Sequence, residues 1–475
     1  MRYVQGKDRH QTTLFPAVVD DYVTDDNPIR FIDYFVDNHI NPVELDFTYS
    51  EPKITGRLPY NPSDMLKLYI YGYLNRIRSS RRLETETHRN LELMWLIRGL
   101  HPDFKTIADF RKNNKKAIRE VCRTFTLLCR DLGLFDLEFF GIDGSKFAAV
   151  AHMSKAFTKE KLKELIREID QQVDSFLETI EQQDDKEQDV TKPTAEQLQQ
   201  KIDALKQSRQ VYETYQEILE ESGETQIVVT EPDSRLMRTG HNGRDVCYNA
   251  QIAVDKKHKL IAEHDVTNAP NDIRQLKNMA QQLKTTFDLD RFECAADTGY
   301  FHKDDLKECI DNNITCHVPE PKKSQNRKKG KYTNKDFQYN ADDDTYTCPA
   351  GQQMVNSGSM IKHGRKEFIY KTNACRECPL KSKCTTSKEG RRIYRWEHEK
   401  IIEDMQHKLA ENPQYMYYRR ILAEHPFGTL KQAFGFTYFL CRCLEMVKTE
   451  MSLSVLAYNM RRVINILGVK ELMAA

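Results

Sequence analysis

Hydrophobic positions between residues 27 and 133 recur at the spacing of helices. In "NPIRFIDYFVDNHI" an Asn-Pro pair comes first, and apolar side chains then return every three to four residues at Ile29, Ile32 and Phe35. This pattern is typical of an amphipathic helix whose first turn contains the proline. The segment "NPSDMLKLYIYGYLNRI" repeats it. Because helical patterns continue to the end of this region, we predict an all-α N-terminal domain over residues 1–135.

Basic side chains are concentrated in the same region. They are Arg76, Arg78, Arg81, Arg82, Arg111, Lys112, Lys115 and Lys116. The segment "TIADFRKNNKKAI" is predicted to be the second helix of a helix-turn-helix, which would enter a groove of DNA. A helical packing or dimerisation domain with a solvated basic face explains the same residues equally well. We therefore predict DNA binding for this domain and keep the packing alternative open.

The pattern changes after this domain, where short apolar runs replace the helical period. The runs in "LEFFGIDG" and "RFECAADTG" end next to Asp143 and Asp297, and each predicts a buried strand with an acid at its C-terminal end. Between them, "VCYNAQIAVDKKHKLIAEHDVTN" predicts a β-hairpin with Asp255 in its turn, and Asp272 is predicted to cap the following helix. Since helices separate the later strands, residues 136–475 are predicted to form an α/β domain with a mixed sheet.

Two segments interrupt the predicted sheet. Residues 154–222 are charged, rich in glutamine and helical in period, with a polar break at Pro193, which predicts a long helical hairpin with a structural role. Residues 321–395 combine a basic stretch with a CxxC pair and two further cysteines. These four are spaced like the ligands of a structural Zn²⁺ ion: Cys348, Cys375, Cys378 and Cys384. An Fe–S cluster or four reduced thiols are the alternatives.

Composition narrows the possible functions. A chain of 475 residues is too long for one ordinary core, so two or three domains are expected. The net charge of +1 gives no overall attraction to nucleic acid or membrane, so any such attraction has to be local. The sequence has no run of about 18 apolar residues and no apolar signal core, from which we expect no membrane contact and a cytoplasmic protein.

Asp143 and Asp297 share one local context. Each follows an apolar strand, and a glycine comes within the next two residues. Either acid alone is explained as a turn residue. Two acids on neighbouring strands, however, suit a shared divalent cation, because Mg²⁺ and Mn²⁺ prefer carboxylate oxygens and leave positions open for a phosphate.

A third acid, Glu424, lies in a helical segment with regularly spaced neighbours. Tyr417, Arg420 and Lys431 complete the spacing Tyr-x2-Arg-x3-Glu-x6-Lys, whose offsets fall on one helix face. Such a face suits a site in which the glutamate holds a cation and the basic side chains hold phosphates. A solvated Arg–Glu pair is the alternative. Pro426 predicts a bend just after Glu424, on which the position of Lys431 depends.

Taken together, these motifs resemble the DDE transposases of bacterial insertion sequences. The similar segments are "GIDGSKF", "PDSRLMRTGHNGRDVCYNAQIAVD", "AADTGYF" and "EHPFGTLK", in this order. The resemblance implies an RNase H-like catalytic core over residues 136–475. It also implies that Asp143, Asp297 and Glu424 hold Mg²⁺ or Mn²⁺, with two ions expected.

The resemblance further implies a reaction and its partners. Tyr417, Arg420 and Lys431 would contact the phosphate backbone near the cut, and Arg235 and Arg238, in a flexible loop, would bind DNA as well. The enzyme would nick the ends of its element and join the freed 3′-hydroxyls to target DNA, working as at least a dimer on the DNA. A metal-dependent nuclease that joins no strands and a non-catalytic DNA-binding relative are the alternatives.

Overall fold

The computed structural model describes residues 18–51, 58–184, 194–240, 243–321 and 330–474. The chain divides into two compact units. Unit 1 contains Met1–Asp136, Asp143–Asp272 and Leu422–Ala475, and unit 2 contains Leu137–Ile142 and Ile273–Ile421. The strand that carries Asp143 therefore begins in unit 2 and continues in unit 1.

The N-terminal part of unit 1 is helical, as the hydrophobic period predicts. Its helices are α1 (Pro28–His39), α2 (Pro62–Leu74), α3 (Ser80–Thr87), α4 (Leu91–Leu96), α5 (Phe104–Asn113) and α6 (Lys115–Asp131). Helices α1 and α2 each begin at the proline of an Asn-Pro pair. The side-chain oxygen of Asn27 accepts from Ile29 N at 3.0 Å, and that of Asn61 accepts from Ser63 N at 2.9 Å. The asparagine caps the first turn of each helix. Proline suits the first helical position because an N–H there would have no acceptor within the helix.

The segment "TIADFRKNNKKAI" is divided between α5 and α6, so the prediction of one recognition helix over it is wrong. Asn114 separates the two helices. Its amide nitrogen donates to Phe110 O at 2.8 Å, and its side-chain oxygen accepts from Thr48 N at 2.6 Å. This buried side chain thus takes over hydrogen bonding where the helical ladder stops.

The strands of unit 1 are β1 (Phe139–Ala148), β2 (Ala156–Thr158), β3 (Gln226–Val228), β4 (Arg235–Arg238), β5 (Arg244–Asp255) and β6 (Ile261–Thr267). Strands β4 and β6 pair antiparallel with successive parts of β5, and β1 also pairs with β5. The predicted β5–β6 hairpin is confirmed. Asp255 ends β5, and its carboxylate accepts from Lys257 N in the turn at 2.8 Å.

Two long helices, α7 (Lys159–Asp184) and α8 (Ala195–Glu221), form a helical hairpin in unit 1. Their contacts run in opposite directions along the chain. Arg209 pairs with Asp170 at 2.8 Å, and further along α8 the Tyr215 ring lies 5.6 Å from that of Phe157. The helices are therefore antiparallel, and the antiparallel pair of β2 and β3 lies at their base.

Unit 2 contains the first residues of β1 together with β7 (Phe292–Ala295) and β8 (Ile314–His317). β1 pairs with β7 and β7 with β8, both in parallel, so that Phe140 lies opposite Cys294 and Cys294 opposite Cys316. The helices α9 (Gln275–Phe287) and α10 (Lys303–Asp311) precede and follow β7. Helical crossovers of this kind are what parallel pairing requires.

A second sheet of unit 2 carries the cysteine-bearing segment. Its antiparallel strands are β9 (Gln338–Asn340), β10 (Thr345–Thr347), β11 (Gln353–Lys362), β12 (Arg365–Lys371) and β13 (Ile393–Trp396), and they are ordered β13-β12-β11-β10-β9. Phe337, Tyr346, Met354, Tyr370 and Ile393 form its buried core. The one-turn helix α11 (Lys381–Cys384) lies in the connection between β12 and β13.

The C-terminal part of the chain is helical. It consists of α12 (Glu399–Glu411), α13 (Gln414–Gly428), a turn of π-helix (Thr429–Ala433), α14 (Leu444–Leu467) and α15 (Val469–Ala474). Helix α14 is buried over most of its length and packs on α2, α6 and β6 in unit 1. The Asn459 side chain bonds to the N–H and the C=O of Ile261 at 2.9 and 2.8 Å, so it continues the hydrogen bonding of β6. Within the described part of the chain, no helix combines the length and apolar character needed to cross a membrane.

Candidate active site

Asp143 lies within β1 and not at its end, which corrects the sequence prediction. The strand continues to Ala148, beyond the apolar run that ends at Asp143. The end of the strand is held on both sides: Ala148 N donates to Thr437 O at 3.2 Å, and Ala149 N, one residue past the strand, donates to Val246 O of β5 at 2.8 Å. Backbone pairing, which an apolar pattern does not report, thus extends the strand past the acid.

Lys431 contacts β1 at the two residues that follow Gly144, close to Asp143. Its ammonium donates to Ser145 Oγ at 2.6 Å and to Lys146 O at 3.0 Å. It also lies over the Phe147 ring, 4.6 Å from the centroid. Burial lowers the pKa of Lys431 below its ordinary value, and the charge of Asp143 acts in the opposite direction.

The other face of β1 holds a polar cluster around Asp272. One Asp272 oxygen accepts from Asn249 Nδ2 at 2.8 Å and from Gln251 Nε2 at 2.9 Å, and Lys146 Nζ lies 3.5 Å from it. A Cβ on Gly144 would come within 2.6 Å of the same oxygen. The prediction that Asp272 caps a helix is therefore wrong: its carboxylate is used by side chains of β1 and β5.

Asp297 follows β7 by two residues, as the sequence predicts, and begins a 3₁₀ turn. One carboxylate oxygen accepts from Gly299 N at 2.7 Å, and the other lies 3.5 Å from the guanidinium of Arg419. The Asp297 side chain is 45% exposed and that of Arg419 15%. Sequence reasoning missed Arg419, because the motif spacing selects its neighbour Arg420; only the Arg-Arg pair in "YYRRIL" could have indicated it.

Glu424 is exposed on α13. The helix does not stop at Pro426: it continues to Gly428 and passes into the π-helical turn that contains Lys431. The Thr429 hydroxyl donates to His425 O at 2.9 Å beside the proline. A π-turn places one more residue in the turn than an α-helix does and is frequent at functional sites. It shifts Lys431 from the position that α-helical spacing predicts.

Arg420 lies about one helical turn before Glu424 and Tyr417 about two turns before it, and both are exposed. The Arg420 guanidinium lies over the Tyr417 ring, 5.9 Å from its centroid. Both side chains are therefore accessible to a large ligand, as predicted contacts to DNA would need to be.

Arg235 and Arg238 lie on β4, where a flexible loop is predicted, so that prediction is wrong. The Arg235 guanidinium donates to Pro232 O at 2.6 Å and pairs with Glu224 at 2.9 Å. Arg238 is exposed and lies opposite Arg244 in the β4–β5 pair. Arg238 and Arg244 line an open cavity of about 510 Å³. The contacts of Arg235 are therefore structural, whereas Arg238 faces a cavity that could take a ligand.

The loop before β4 fixes the start of α14. The carboxylate of Glu231 accepts from Cys443 N at 2.5 Å, and that of Asp233 accepts from Leu444 N at 2.8 Å. Acids at a helix N-terminus satisfy unpaired N–H groups and interact favourably with the helix dipole. Both acids thus have a structural role.

The four predicted zinc ligands line one small cavity of about 20 Å³ in unit 2: Cys348, Cys375, Cys378 and Cys384. Burial raises the pKa of the Cys384 thiol, Arg391 lowers it, and the other three thiols raise it further. Gly390 lies so close to Cys375 that an added Cβ would be 2.5 Å from the Cys375 Cβ. The four cysteines therefore lie around one cavity.

Neither predicted metal site is preassembled. Across the described ranges, no group of three or more His, Cys, Asp or Glu side chains is arranged to hold a metal ion. Asp143 and Glu424 belong to unit 1 and Asp297 to unit 2. Carboxylates and thiolates are nonetheless the donors that Mg²⁺ and Zn²⁺ respectively prefer, so the chemistry of both donor sets fits the predicted ions.

Comparison with known proteins finds two transposase domains in the chain. Residues 17–113 match the model of a transposase domain (DUF772), and residues 347–464 match that of a transposase DDE domain. The second match includes Glu424 and the four clustered cysteines. A search of curated proteins finds no match.

Among solved structures, the chain is similar to the piggyBac transposase in a synaptic complex with hairpin DNA. The identity is 9% and the TM-score 0.33, over 93% of this chain and 75% of that one. A TM-score this low carries no argument about the fold. The two family matches confirm the resemblance to DDE transposases that the sequence motifs indicate, and they place a transposase DDE domain over residues 347–464 of this chain.

Proposed function

We propose that this transposase nicks the ends of an insertion-sequence element and joins the freed 3′-hydroxyls to target DNA, using an RNase H-like core. One observation carries the proposal beyond the family match. In the parallel pair of β1 and β7, Gly141 lies opposite Ala295. Asp143 follows the first of these by two residues and Asp297 the second by two. Equal offsets on strands about 4.8 Å apart are what two carboxylates need in order to share a metal ion.

The proposed ligands are Asp143, Asp297 and Glu424, and the proposed cations are two Mg²⁺ or Mn²⁺ ions. Two such ions, when bound, stabilise both the attacking and the leaving oxygen of a phosphodiester displacement. The exposure of Glu424 and the partial exposure of Asp297 support this assignment, because carboxylates that bind a metal and a DNA strand have to be reachable.

Tyr417 and Arg420 are proposed to hold the DNA backbone next to the cut. An exposed arginine on the helix of Glu424 can make a bidentate contact with a phosphate, and the tyrosine hydroxyl can donate to another. Arg238 is proposed to contact the backbone with Arg244. Two like charges directly opposite each other in a strand pair are destabilising, and a bound phosphate would relieve that repulsion.

The N-terminal helices are proposed to bind DNA as a domain, since part of their basic cluster is free to do so. Arg81, Arg82 and Lys116 are exposed. Arg78 and Arg111 are not available: Arg78 donates to Tyr438 O at 2.8 Å, and Arg111 is buried against Tyr73. Because both element ends have to be held together during joining, we expect at least a dimer in the DNA complex.

The experiment that tests this function incubates the protein with Mg²⁺, labelled element ends and a target plasmid. The expected result is cleaved ends together with a product in which labelled 3′-ends are joined to the plasmid. Cleavage without joining supports a nuclease, and DNA binding without cleavage supports a non-catalytic relative. The Glu424→Gln variant is the control for the site, and we expect it to bind DNA without cleaving it.

A further inference from the structure

Lys431 is part of the motif that suggests a phosphate contact, yet its ammonium points into the fold. The side chain is half-buried, and two of its three donors bond to Ser145 Oγ at 2.6 Å and Lys146 O at 3.0 Å. A phosphate contact would require these donors to turn away from β1. Even a half-buried ammonium is costly to leave without partners, so the observed hydrogen bonds favour this arrangement.

The acceptors of Lys431 lie on β1 shortly after Asp143. Ser145 and Lys146 stand two and three positions after the acid on the same strand. The aromatic ring below the ammonium, Phe147, is fully buried and packs against Phe436 at 5.2 Å and Phe439 at 5.7 Å. Lys431 thus ties the strand immediately after Asp143 to a rigid part of unit 1.

The π-helical turn makes this contact possible. Lys431 lies in the middle of Thr429–Ala433, where the wider turn follows directly on the helix of Glu424. One continuous helical segment therefore carries Glu424 and, seven residues later, the side chain that fixes the strand of Asp143.

We propose that Lys431 is a positioning residue for Asp143: it holds β1 in register with the helix of Glu424, so that the two carboxylates keep a fixed relation for metal binding. The proposal rests on the metal-dependent function proposed above. It assigns Lys431 to the metal ligands and not to the DNA backbone. The outer partners of metal ligands typically change metal affinity or activity about 10- to 100-fold when they are removed, and we expect an effect in this range.

The test compares Lys431→Met with Arg420→Met, an exposed basic residue on the same helical segment. For Lys431→Met we expect cleavage to slow about 10- to 100-fold and the half-saturating Mg²⁺ concentration to rise, with DNA affinity and its salt dependence unchanged. For Arg420→Met we expect weaker DNA binding and a salt slope reduced by about 1. The proposal is overturned if Lys431→Met instead reduces the salt slope and leaves the Mg²⁺ requirement unchanged.

Two further variants keep the test decisive if Lys431→Met does not fold. Lys431→Arg retains the charge that a phosphate contact needs but changes the shape that β1 requires. We therefore expect it to remain impaired, and full recovery would contradict the proposal. Ser145→Ala removes one acceptor with little change in volume, and it should raise the Mg²⁺ requirement in the same direction.

A readout without DNA separates this proposal from the proposed function. Binding of Mn²⁺ to the protein alone can be followed by the loss of the free-ion signal in electron paramagnetic resonance. Weaker Mn²⁺ binding by Lys431→Met than by the wild type supports positioning, even if the protein joins no strands. Equal Mn²⁺ affinity in the two proteins overturns it, whatever the outcome of the strand-transfer assay.

Discussion

Asp143 and Asp297 follow the same sequence pattern but lie in different surroundings. Asp143 is embedded in a strand whose next residues are tied to the core of unit 1 through Lys431 and Phe147. Asp297 follows the end of β7, opens a short turn and has Arg419 as a charged neighbour. The pattern of an apolar run, an aspartate and a glycine therefore does not determine whether the acid is held within a sheet or at a turn.

The largest effect on cleavage is expected from removing either carboxylate, and it should be the same for both acids. Asp143→Asn and Asp297→Asn should each reduce metal-dependent cleavage to background, because a neutral amide is a poor replacement for a carboxylate ligand of Mg²⁺. Cleavage of labelled ends, with DNA binding as the control, measures this. Normal cleavage by either variant would show that the two acids do not serve one site.

The cysteine cluster offers an internal control for this comparison, because it lies in the connections of the second sheet of unit 2, outside both aspartate strands. Zinc there stays a prediction. We expect one zinc ion per chain by metal analysis, and its loss with a lower melting temperature in Cys378→Ser, because a structural zinc contributes to folding stability. Cys309→Ser, a buried cysteine elsewhere in unit 2, should retain the zinc. Iron in the protein would support the Fe–S alternative.

A smaller effect, on stability, is expected at Gly144, where β1 leaves no room for an added side chain. In Gly144→Ala, the new Cβ would lie 2.4 Å from Gln251 Nε2 and 2.6 Å from Asp272 Oδ1. We expect unfolding free energy to fall by about 1–3 kcal/mol in urea denaturation, the usual range for overpacking. Gly428→Ala is the matched control: outside its own stretch of helix backbone, no heavy atom lies within 4 Å of the new Cβ, so the variant should be neutral or slightly stabilising. Equal stability of the two variants would contradict a tightly packed Asp143 strand.

The smallest expected effect concerns Arg419. Its guanidinium would compete with the proposed cation for Asp297, and partly exposed ion pairs contribute about 0.2–1 kcal/mol, equivalent to a change of about 1.4- to 5-fold. Arg419→Gln should therefore lower the half-saturating Mg²⁺ concentration for cleavage by that factor. Arg420→Gln should leave it unchanged. An increase in Arg419→Gln would indicate that this arginine supports metal binding.

Local sequence rules predicted the elements whose cause is local. The Asn-Pro pairs gave α1 and α2, because a cap and an N-terminal proline act within one turn. The alternation around "DKKHK" gave the β5–β6 hairpin, because alternation reports a strand with two different faces. The motif spacing also led to the resemblance to DDE transposases, which the two family-model matches confirm.

The errors occur where distant segments decide the structure. Asp143 is not at a strand end, because Val246 and Thr437 extend the pairing of β1. Asp272 caps no helix, because Asn249 and Gln251 use its carboxylate. Such long-range partners leave no mark in the local pattern.

The contribution of Lys431 was likewise invisible in the sequence. Its spacing from Glu424 assumes an α-helix, whereas Thr429–Ala433 forms a π-turn that sends the side chain to β1. A regular helical period does not show where a turn contains an additional residue. The motif therefore indicated that Lys431 is part of the site but not that it contacts β1.

The most direct test of the account is metal-specific rescue at Asp297. Asp297 is half-exposed, so Asp297→Cys should fold normally, and a thiolate binds the hard Mg²⁺ poorly but accepts softer Mn²⁺ better. We predict that cleavage of labelled ends by this variant is lost in Mg²⁺ and partly regained in Mn²⁺, while Asp297→Asn is inactive in both. Cleavage by Asp297→Cys that is equal in Mg²⁺ and Mn²⁺, or absent in both while the folded protein binds DNA, would contradict a direct metal–Asp297 bond.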